Sequence, residues 1–270
     1  MRADDVAGIE PVLRAAYAMP RSYRERIEAH LRQRNVLPLI AECGGRPAGA
    51  VFGNDYATSA YVSLMGVDPA LHGRGIGTAL MTELMAWCDE RGFRDVRLDA
   101  TPLGAPLYER FGFRDFGETI VYARERVVAP ASAARITVTP AVDAAAIVRI
   151  DAAAFGADRS TVLEPLLAAH GALVAPDESG YAVVQRTESG AIVGPWIAAE
   201  RGVARELLDA ALADLGEIAP ALFVPSTNRA AVELASAAGF VARRTLRHMI
   251  RGAGGIPSPA VFGRANLGQG

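Results

Sequence analysis

The sequence holds only two cysteines and four histidines, and aromatic residues make up 7% of it. Cys43 and Cys88 are too few and too widely separated to define a metal site or a disulfide framework. Each reads as a small buried apolar residue. There is also no uninterrupted apolar run approaching the roughly 20 residues that cross a bilayer. The opening Met1-Arg2-Ala3-Asp4-Asp5 lacks the basic stretch and apolar segment of a secretory leader. An excess of charge of one sign is missing too: Lys and Arg total 28, Asp and Glu 30. That balance carries no footprint for a nucleic acid or an anionic membrane. A cytoplasmic protein without a metal is the simplest expectation.

What remains is ordinary globular material. A hydrophobic share of 51% supports extensive cores, and 270 residues suffice for two domains or one large one. Asp5 to Tyr17 has apolar residues at helical spacing, and Tyr23 to Arg34 reads as a second, more polar helix. Leu37 to Cys43 and Pro47 to Phe52 form a hairpin pattern turning at Gly44-Gly45. Then follow a strand (Tyr61 to Val67), a long amphipathic helix (Gly75 to Arg91) stopped by Gly92, and a strand (Val96 to Ala100). A short helix (Ala105 to Phe111) and a strand (Glu118 to Arg124) complete this half.

Val127 to Arg135, rich in small residues and Pro, marks a linker between a domain at 1–126 and a second at 136–270. The second half repeats the first. A shift of 127 positions lays Arg74 on Arg201, Gly75 on Gly202, Leu80 on Leu207 and Gly112-Phe113 on Gly239-Phe240. So long a period indicates duplication of one domain rather than a short-repeat solenoid. The expected fold class is α/β, as two tandem domains, each with a sheet flanked by helices. One asymmetry stands out. Ile136 to Thr139 supplies a strand before the second half's first helix, whereas the first half begins at its helix. Either that first strand is missing or the start lies upstream of Met1, the reading we favour.

The strongest chemical signal is the run from Gly66 to Leu80, where a strand ends, a glycine-rich loop follows and a helix begins. Glycines let the backbone turn sharply and approach an anion, and the exposed N–H groups of the helix start attract it. Arg74 adds a cation to the same place. The loop lacks the Lys of a phosphate-binding NTPase loop and the spacing of a dinucleotide fingerprint.

This segment resembles the acetyl-coenzyme A signature of the GCN5-related N-acetyltransferases, with His72 in the position usually held by Arg or Gln, then Gly75 and Gly77 in register. The loop backbone is thereby implied to carry the pyrophosphate contacts through Gly73, Arg74, Gly75, Gly77 and Thr78. His72 is either a further contact or an ordinary surface histidine. Leu98 to Phe113 resembles the family's second signature. The resemblance puts the family's general acid on Tyr108, with packing beside the cofactor as the alternative, and puts Thr101 where the family often has an Asn. It also implies mixed, mostly antiparallel twisted sheets, and in the first domain a parallel strand pair that splays apart. The pantetheine arm of acetyl-coenzyme A would enter that split and pair with the backbone of Met65 and Val67. A backbone N–H near Val67 would polarise the thioester carbonyl.

The implied reaction is direct acetyl transfer to a primary amine, with a small-molecule acceptor as the leading expectation. Protein or peptide N-acetylation and acyl-coenzyme A sensing without turnover are the alternatives. Asp55, Glu118 and Asp99 are polar residues near the expected site, and none is assigned as the base. His30 and Cys88 form no sequence-supported nucleophile pair. The helical segment from Tyr17 to Arg34 is the expected rim of the acceptor site. The second half keeps the frame but has Ala199-Glu200 for His72-Gly73, Ala204 for Gly77 and Ala235 for Tyr108, with Asn228 opposite Thr101. It therefore resembles the degenerate C-terminal domain of a tandem acetyltransferase class whose N-terminal domain is the active one. Trp196 there is either a core residue or part of an inter-domain contact. Self-association as a homodimer stays open.

Overall fold

Val6, Ile9, Val12 and Leu13 recur at helical spacing, and in the structure they form the buried stripe of α1 (Val6–Ala16). This computed structural model describes residues 5–18, 22–124, 138–139, 143–187, 190–255 and 258–270. The expected linker at 127–135 lies outside the described residues, as do Ile136 and Thr137 of the expected strand. The chain divides into two units, and neither is a single stretch of sequence. The first comprises 1–98, 103–114 and 250–254; the second comprises 99–102, 115–249 and 255–270.

In the first unit α1 is followed by α2 (Arg24–Leu31), β1 (Val36–Cys43), β2 (Arg46–Asp55) and β3 (Ser59–Val67). Next come α3 (Ile76–Arg91), β4 (Asp95–Ala100), whose last two residues fall in the second unit, and α4 (Ala105–Glu109). β1 and β2 pair antiparallel up to Cys43↔Arg46, joined by Gly44 and Gly45 at φ +60° and +72°. A two-residue turn with positive φ at both positions is the one whose twist matches the strands, and glycine reaches it without strain. β2 and β3 are antiparallel, and β3 and β4 parallel. Ile9, Leu13, Ile27, Phe52 and Leu64 close a core over one face of this sheet. α3 buries Leu80, Met81, Leu84, Met85 and Cys88 and stops at Gly92, φ +65°. Arg251, from the far end of the sequence, is bound to Asp89 of α3 at 2.8 and 3.2 Å. Among the described residues no strand precedes α1.

The second unit contains β5 (Arg114–Ala123), β6 (Val138–Thr139), α5 (Ala144–Phe155), α6 (Ser160–His170) and β7 (Ala172–Val174). It continues with β8 (Gly180–Thr187), β9 (Gly190–Ala198), α7 (Arg201–Leu215), β10 (Pro220–Pro225), α8 (Arg229–Ala237), β11 (Val241–Gly252), whose last three residues fall in the first unit, and β12 (Val261–Gly263). Its sheet order is β11-β5-β10-β9-β8-β7-β6, with β12 paired to β9. β9 and β10 run parallel, whereas β5/β10, β6/β7, β7/β8 and β8/β9 run antiparallel. Both units are thus mixed, mostly antiparallel α/β layers, as the repeat implies. Trp196 is fully buried in the core of the second unit and donates from Nε1 to the Ala204 carbonyl at 3.0 Å. The core reading of this residue holds.

One buried charge cluster organises the second unit. Arg159 forks onto both carboxylate oxygens of Asp151 at 2.7 Å each and reaches the carbonyls of Gln269 and Gly270. The Tyr181 hydroxyl donates to the same carboxylate. Such a pair is tolerated in a dry interior because the bidentate fork and the added hydroxyl donor offset the loss of water.

Candidate functional site

The site begins with a parallel pair that comes apart. β3 and β4 pair at Ser59↔Asp95, Ala60↔Val96 and Tyr61↔Arg97, and no further rung follows although β3 continues to Val67. Within the same stretch β3 carries a bulge. Phe52 faces Ser63 and Ala50 faces Gly66, so Leu64 and Met65 together stand opposite Val51. Leu64 accordingly takes φ +49°, in the left-handed region. A bulge leaves one residue outside the regular ladder and re-aims the strand beyond it. Here it acts on Met65 and Val67, the residues expected to present their backbone to a ligand.

Both of their carbonyls are engaged by side chains. The Tyr17 hydroxyl donates to the Met65 carbonyl at 3.0 Å. His72 Nε2 lies 3.1 Å from the Val67 carbonyl, and since a carbonyl only accepts, Nε2 is the protonated nitrogen. His72 therefore braces the end of β3 from the loop. The Tyr17 contact to the strand is not among the site contacts that the motifs imply. The place of Tyr17 one residue past an amphipathic helix carries no local sign of that contact, which follows from the close approach of α1 to Gly66 in the fold. A Cβ on Gly66 would stand 2.7 Å from Leu13 Cδ2 and 3.0 Å from Ala16 Cβ.

The loop after β3 is built for tight turning. Asp68 accepts the Ala70 N–H at 2.9 Å and caps a single 3₁₀ turn, Pro69–Leu71. Gly73 and Gly75 both sit at φ +79° with open space around them. Gly75 caps α3 without any side-chain hydrogen bond. The first N–H groups of α3, at Ile76, Gly77 and Thr78, precede the first intrahelical donor, Ala79, whose N–H reaches the Gly75 carbonyl at 2.9 Å. Arg74 is exposed, with Nη1 4.0 Å from Cys43 Sγ.

Gly77 is the hinge of the arrangement. A Cβ there would meet Leu107 Cδ2 at 3.2 Å, Met65 Cε at 3.4 Å and Val67 Cγ2 at 3.8 Å. The helix start, the bulged strand and α4 thus converge on one glycine. Arg110 Nη2 adds a second tie from the end of α4 to Thr78 Oγ1 at 3.4 Å. Leu107 and Arg110 lie within the second signature, Leu98 to Phe113, but their contacts to Gly77 and Thr78 are not implied by it.

Tyr108 follows Leu107 on α4. Its side chain is 7% exposed and packs edge-on against Phe113, ring centroids 6.0 Å apart. Burial pushes its phenol above the ordinary tyrosine range. The group is therefore protonated throughout the neutral range and available as a donor. Thr101 is exposed in the turn after β4 and is grouped with the second unit, apart from the other expected contacts.

Two of the remaining polar candidates, Asp55 and Asp99, have structural partners. Asp55 accepts from Arg91 Nη1 at 3.0 Å and from the Ala57 N–H at 2.8 Å. Asp99 Oδ1 accepts from Thr119 Oγ1 at 2.7 Å and lies 3.0 Å from His248 Nδ1. Glu118 is exposed on β5. His30 packs at an edge-on angle to Phe52, and desolvation holds its pKa down at about 4. Burial raises Cys88 to about 12, so its thiol is inert at neutral pH.

The rim segment is braced from within the first unit. Glu10 accepts from Ser22 Oγ at 2.6 Å and from the Tyr23 N–H at 3.1 Å. The Tyr23 ring stacks on Tyr17 at 5.6 Å, which carries the rim to the hydroxyl that holds Met65.

Two family models, both described as an acetyltransferase (GNAT) domain, match residues 7–128 and 147–261. A putative acetyltransferase from Pyrococcus horikoshii superposes with a TM-score of 0.87 at 26% identity, over 100% of this chain and 94% of its own. A GCN5-related N-acetyltransferase from Sphaerobacter thermophilus shares the fold, with a TM-score of 0.69 at 18% identity over 93% of each chain. The uncharacterized N-acetyltransferase YitH of Bacillus subtilis (strain 168) is 29% identical over 154 residues, a match that spans 54% of either chain. No helix among the described residues is long and apolar enough to cross a membrane.

Proposed function

The chain belongs to the acetyltransferase (GNAT) family, and from that premise we propose that its first unit transfers an acetyl group from acetyl-coenzyme A to a primary amine of a small molecule. The observation that carries this reading is the parting of β3 from β4 after Tyr61↔Arg97, beside a glycine-rich helix start. An unpaired strand edge offers backbone groups to an extended ligand, and the helix start beyond it offers N–H groups to an anion.

Met65 and Val67 would line the acyl end, and Gly73, Arg74, Gly75, Gly77 and Thr78 would hold the pyrophosphate. Glycine at 77 fits this role because a side chain there would fill the space between Leu107 and Met65. Acetyl-coenzyme A supplies the acetyl group as a thioester. In the transfer a C–N bond to the amine forms and the C–S bond breaks. Tyr108 gives its proton to the departing sulfur, and the proton lost by the amine returns to Tyr108 through solvent. Its raised pKa keeps the phenol protonated before transfer and makes that return favourable.

A small acceptor is supported by the rim. Glu10 holds Tyr23, Tyr23 stacks on Tyr17, and Tyr17 is bonded to the Met65 carbonyl, so ordered side chains stand directly beside the bulge of β3. An extended peptide needs an open groove; a small amine does not.

The direct test is thiol release from acetyl-coenzyme A across a panel of small amines and peptides, with an acceptor-free control. Acceptor-dependent release confined to small amines is expected. Release with peptides alone would overturn the acceptor class. Binding of acetyl-coenzyme A without release in any arm would overturn turnover itself.

A further inference from the structure

The second unit has its own diverging parallel pair, and something lies in it. β9 and β10 pair only at Pro220↔Ala191 and Ala221↔Ile192, although β9 runs to Ala198 and β10 to Pro225. The segment 258–270 enters where the pairing stops. On one side β12 pairs antiparallel with β9 at Val261↔Ile197 and Gly263↔Trp196, and the Ala198 N–H donates to the Ala260 carbonyl at 3.0 Å. On the other side the Arg264 N–H donates to the Phe223 carbonyl of β10 at 2.8 Å. The segment thus hydrogen-bonds to both parted strands.

Side chains lock it there. Asn228, at the start of α8, donates from Nδ2 to the Pro259 and Val261 carbonyls at 2.9 and 3.0 Å, while its Oδ1 accepts the Ala231 N–H at 3.1 Å. Gln185 Nε2 donates to the carbonyls of Gly194 and Ala265 at 2.5 and 2.8 Å. Phe262 packs on Trp196 with ring centroids 5.2 Å apart. Phe262, Arg264, Ala265, Asn266 and Gln269 are all buried. A Cβ on Gly194 would collide with the Arg264 carbonyl, so the glycine leaves room for this backbone.

We infer that the cleft between β9 and β10 is a peptide-binding site whose ligand is the chain's own segment 258–270, held by strand addition, and that this occupant excludes acyl-coenzyme A from the second unit. Strand addition supplies affinity through main-chain hydrogen bonds, and the pockets for alternate side chains supply specificity. The inference stands on hydrogen bonds within the second unit and does not need the first unit to be a catalyst.

Asn228→Asp is the discriminating variant. It keeps the oxygen that caps α8, removes the amide that holds Pro259 and Val261, and sets a carboxylate oxygen against two carbonyls. Hydrogen exchange of the full-length chain is expected to show slow amides at 191–198 and 259–265 in the parent. In the variant both sets should exchange at least about 10-fold faster together, as one cooperative opening, with 59–67 and 76–91 unchanged. Gly194→Ala should reproduce that pattern. Fast exchange of 259–265 in the parent, or unchanged protection in both variants, would overturn the occupant. Calorimetric titration of the parent with acetyl-coenzyme A separates this from the first unit's role. One site per chain is expected, and two sites would overturn the exclusion. No binding at all, with the protection pattern intact, would overturn the proposed function and leave the peptide site standing.

Discussion

The parallel pairs β3/β4 and β9/β10 begin alike and end differently. β3 and β4 hold for three rungs and part; β9 and β10 part after two. In the second unit the gap takes a strand of the chain itself, sealed by Phe262 and by the donors of Asn228 and Gln185. In the first, the neighbouring features are a bulged strand, a glycine-capped helix start and a buried phenol. The position of Tyr108 corresponds to Ala235, fully buried in the core of the second unit, and that of Gly77 to Ala204, likewise fully buried. The parted pair of the second unit receives extended backbone, and we propose that the pair of the first unit does likewise for a ligand. What each receives is decided by the residues at its mouth.

The largest expected effect falls on the filled cleft. Arg159 ties Asp151 to the carbonyls of Gln269 and Gly270, so Arg159→Met removes an anchor of the occupant and strands a buried carboxylate. Breaking such a pair costs about 3–5 kcal/mol. The second unit should melt well below the first in calorimetry, where the parent should not show that separation. An unchanged melting profile would mean that the occupant and its anchor contribute little to the second unit.

Next in size is the test of the phenol. Tyr108→Phe removes the donor and keeps the ring that packs on Phe113. Loss of a general acid lowers kcat by about 10²-fold or more. The affinity for acetyl-coenzyme A should stay within about twofold. Equal kcat in variant and parent would assign Tyr108 to packing alone. The comparison between the clefts would then lose its sharpest chemical difference.

Much of this was legible in sequence, and the gaps have physical causes. Apolar spacing located α1, α3 and the strands because burial demands period 3.6 or 2, and Gly44-Gly45 announced its turn because only residues tolerating positive φ fit there. The shift of 127 positions matched the two frames most closely at Gly112 and Gly239, which both follow a short helix at φ +81°, whereas Gly75 caps α3 and Gly202 lies within the first turn of α7 behind Glu200. What sequence could not supply were contacts between distant residues. Tyr17 to Met65, Leu107 against Gly77 and Asn228 onto Val261 each join elements far apart in the chain. No local period records such pairings. The burial of segment 258–270 follows from the gap that receives it rather than from any local pattern. For the same reason a linear division misses that 250–254 is grouped with the first unit.

The smallest expected effect probes that mouth where the two units differ by one methyl group. Gly77→Ala would place a Cβ 3.2 Å from Leu107 Cδ2 and 3.4 Å from Met65 Cε. Both are ends of flexible side chains, so the fold absorbs the change, as the second unit does with Ala204. Alanine also favours a helix over glycine by up to about 1 kcal/mol, which offsets the crowding. Thermal stability should therefore hold. The displaced side chains, however, move toward the space in which the ligand's backbone contacts are proposed, and acetyl-coenzyme A should bind about fivefold more weakly, close to 1 kcal/mol. A titration showing lower stability with unchanged affinity would place Gly77 in the packing of α4 and remove it from the mouth. Weaker binding at unchanged stability would mean that a single methyl group is enough to begin turning a cofactor cleft into one that admits only backbone.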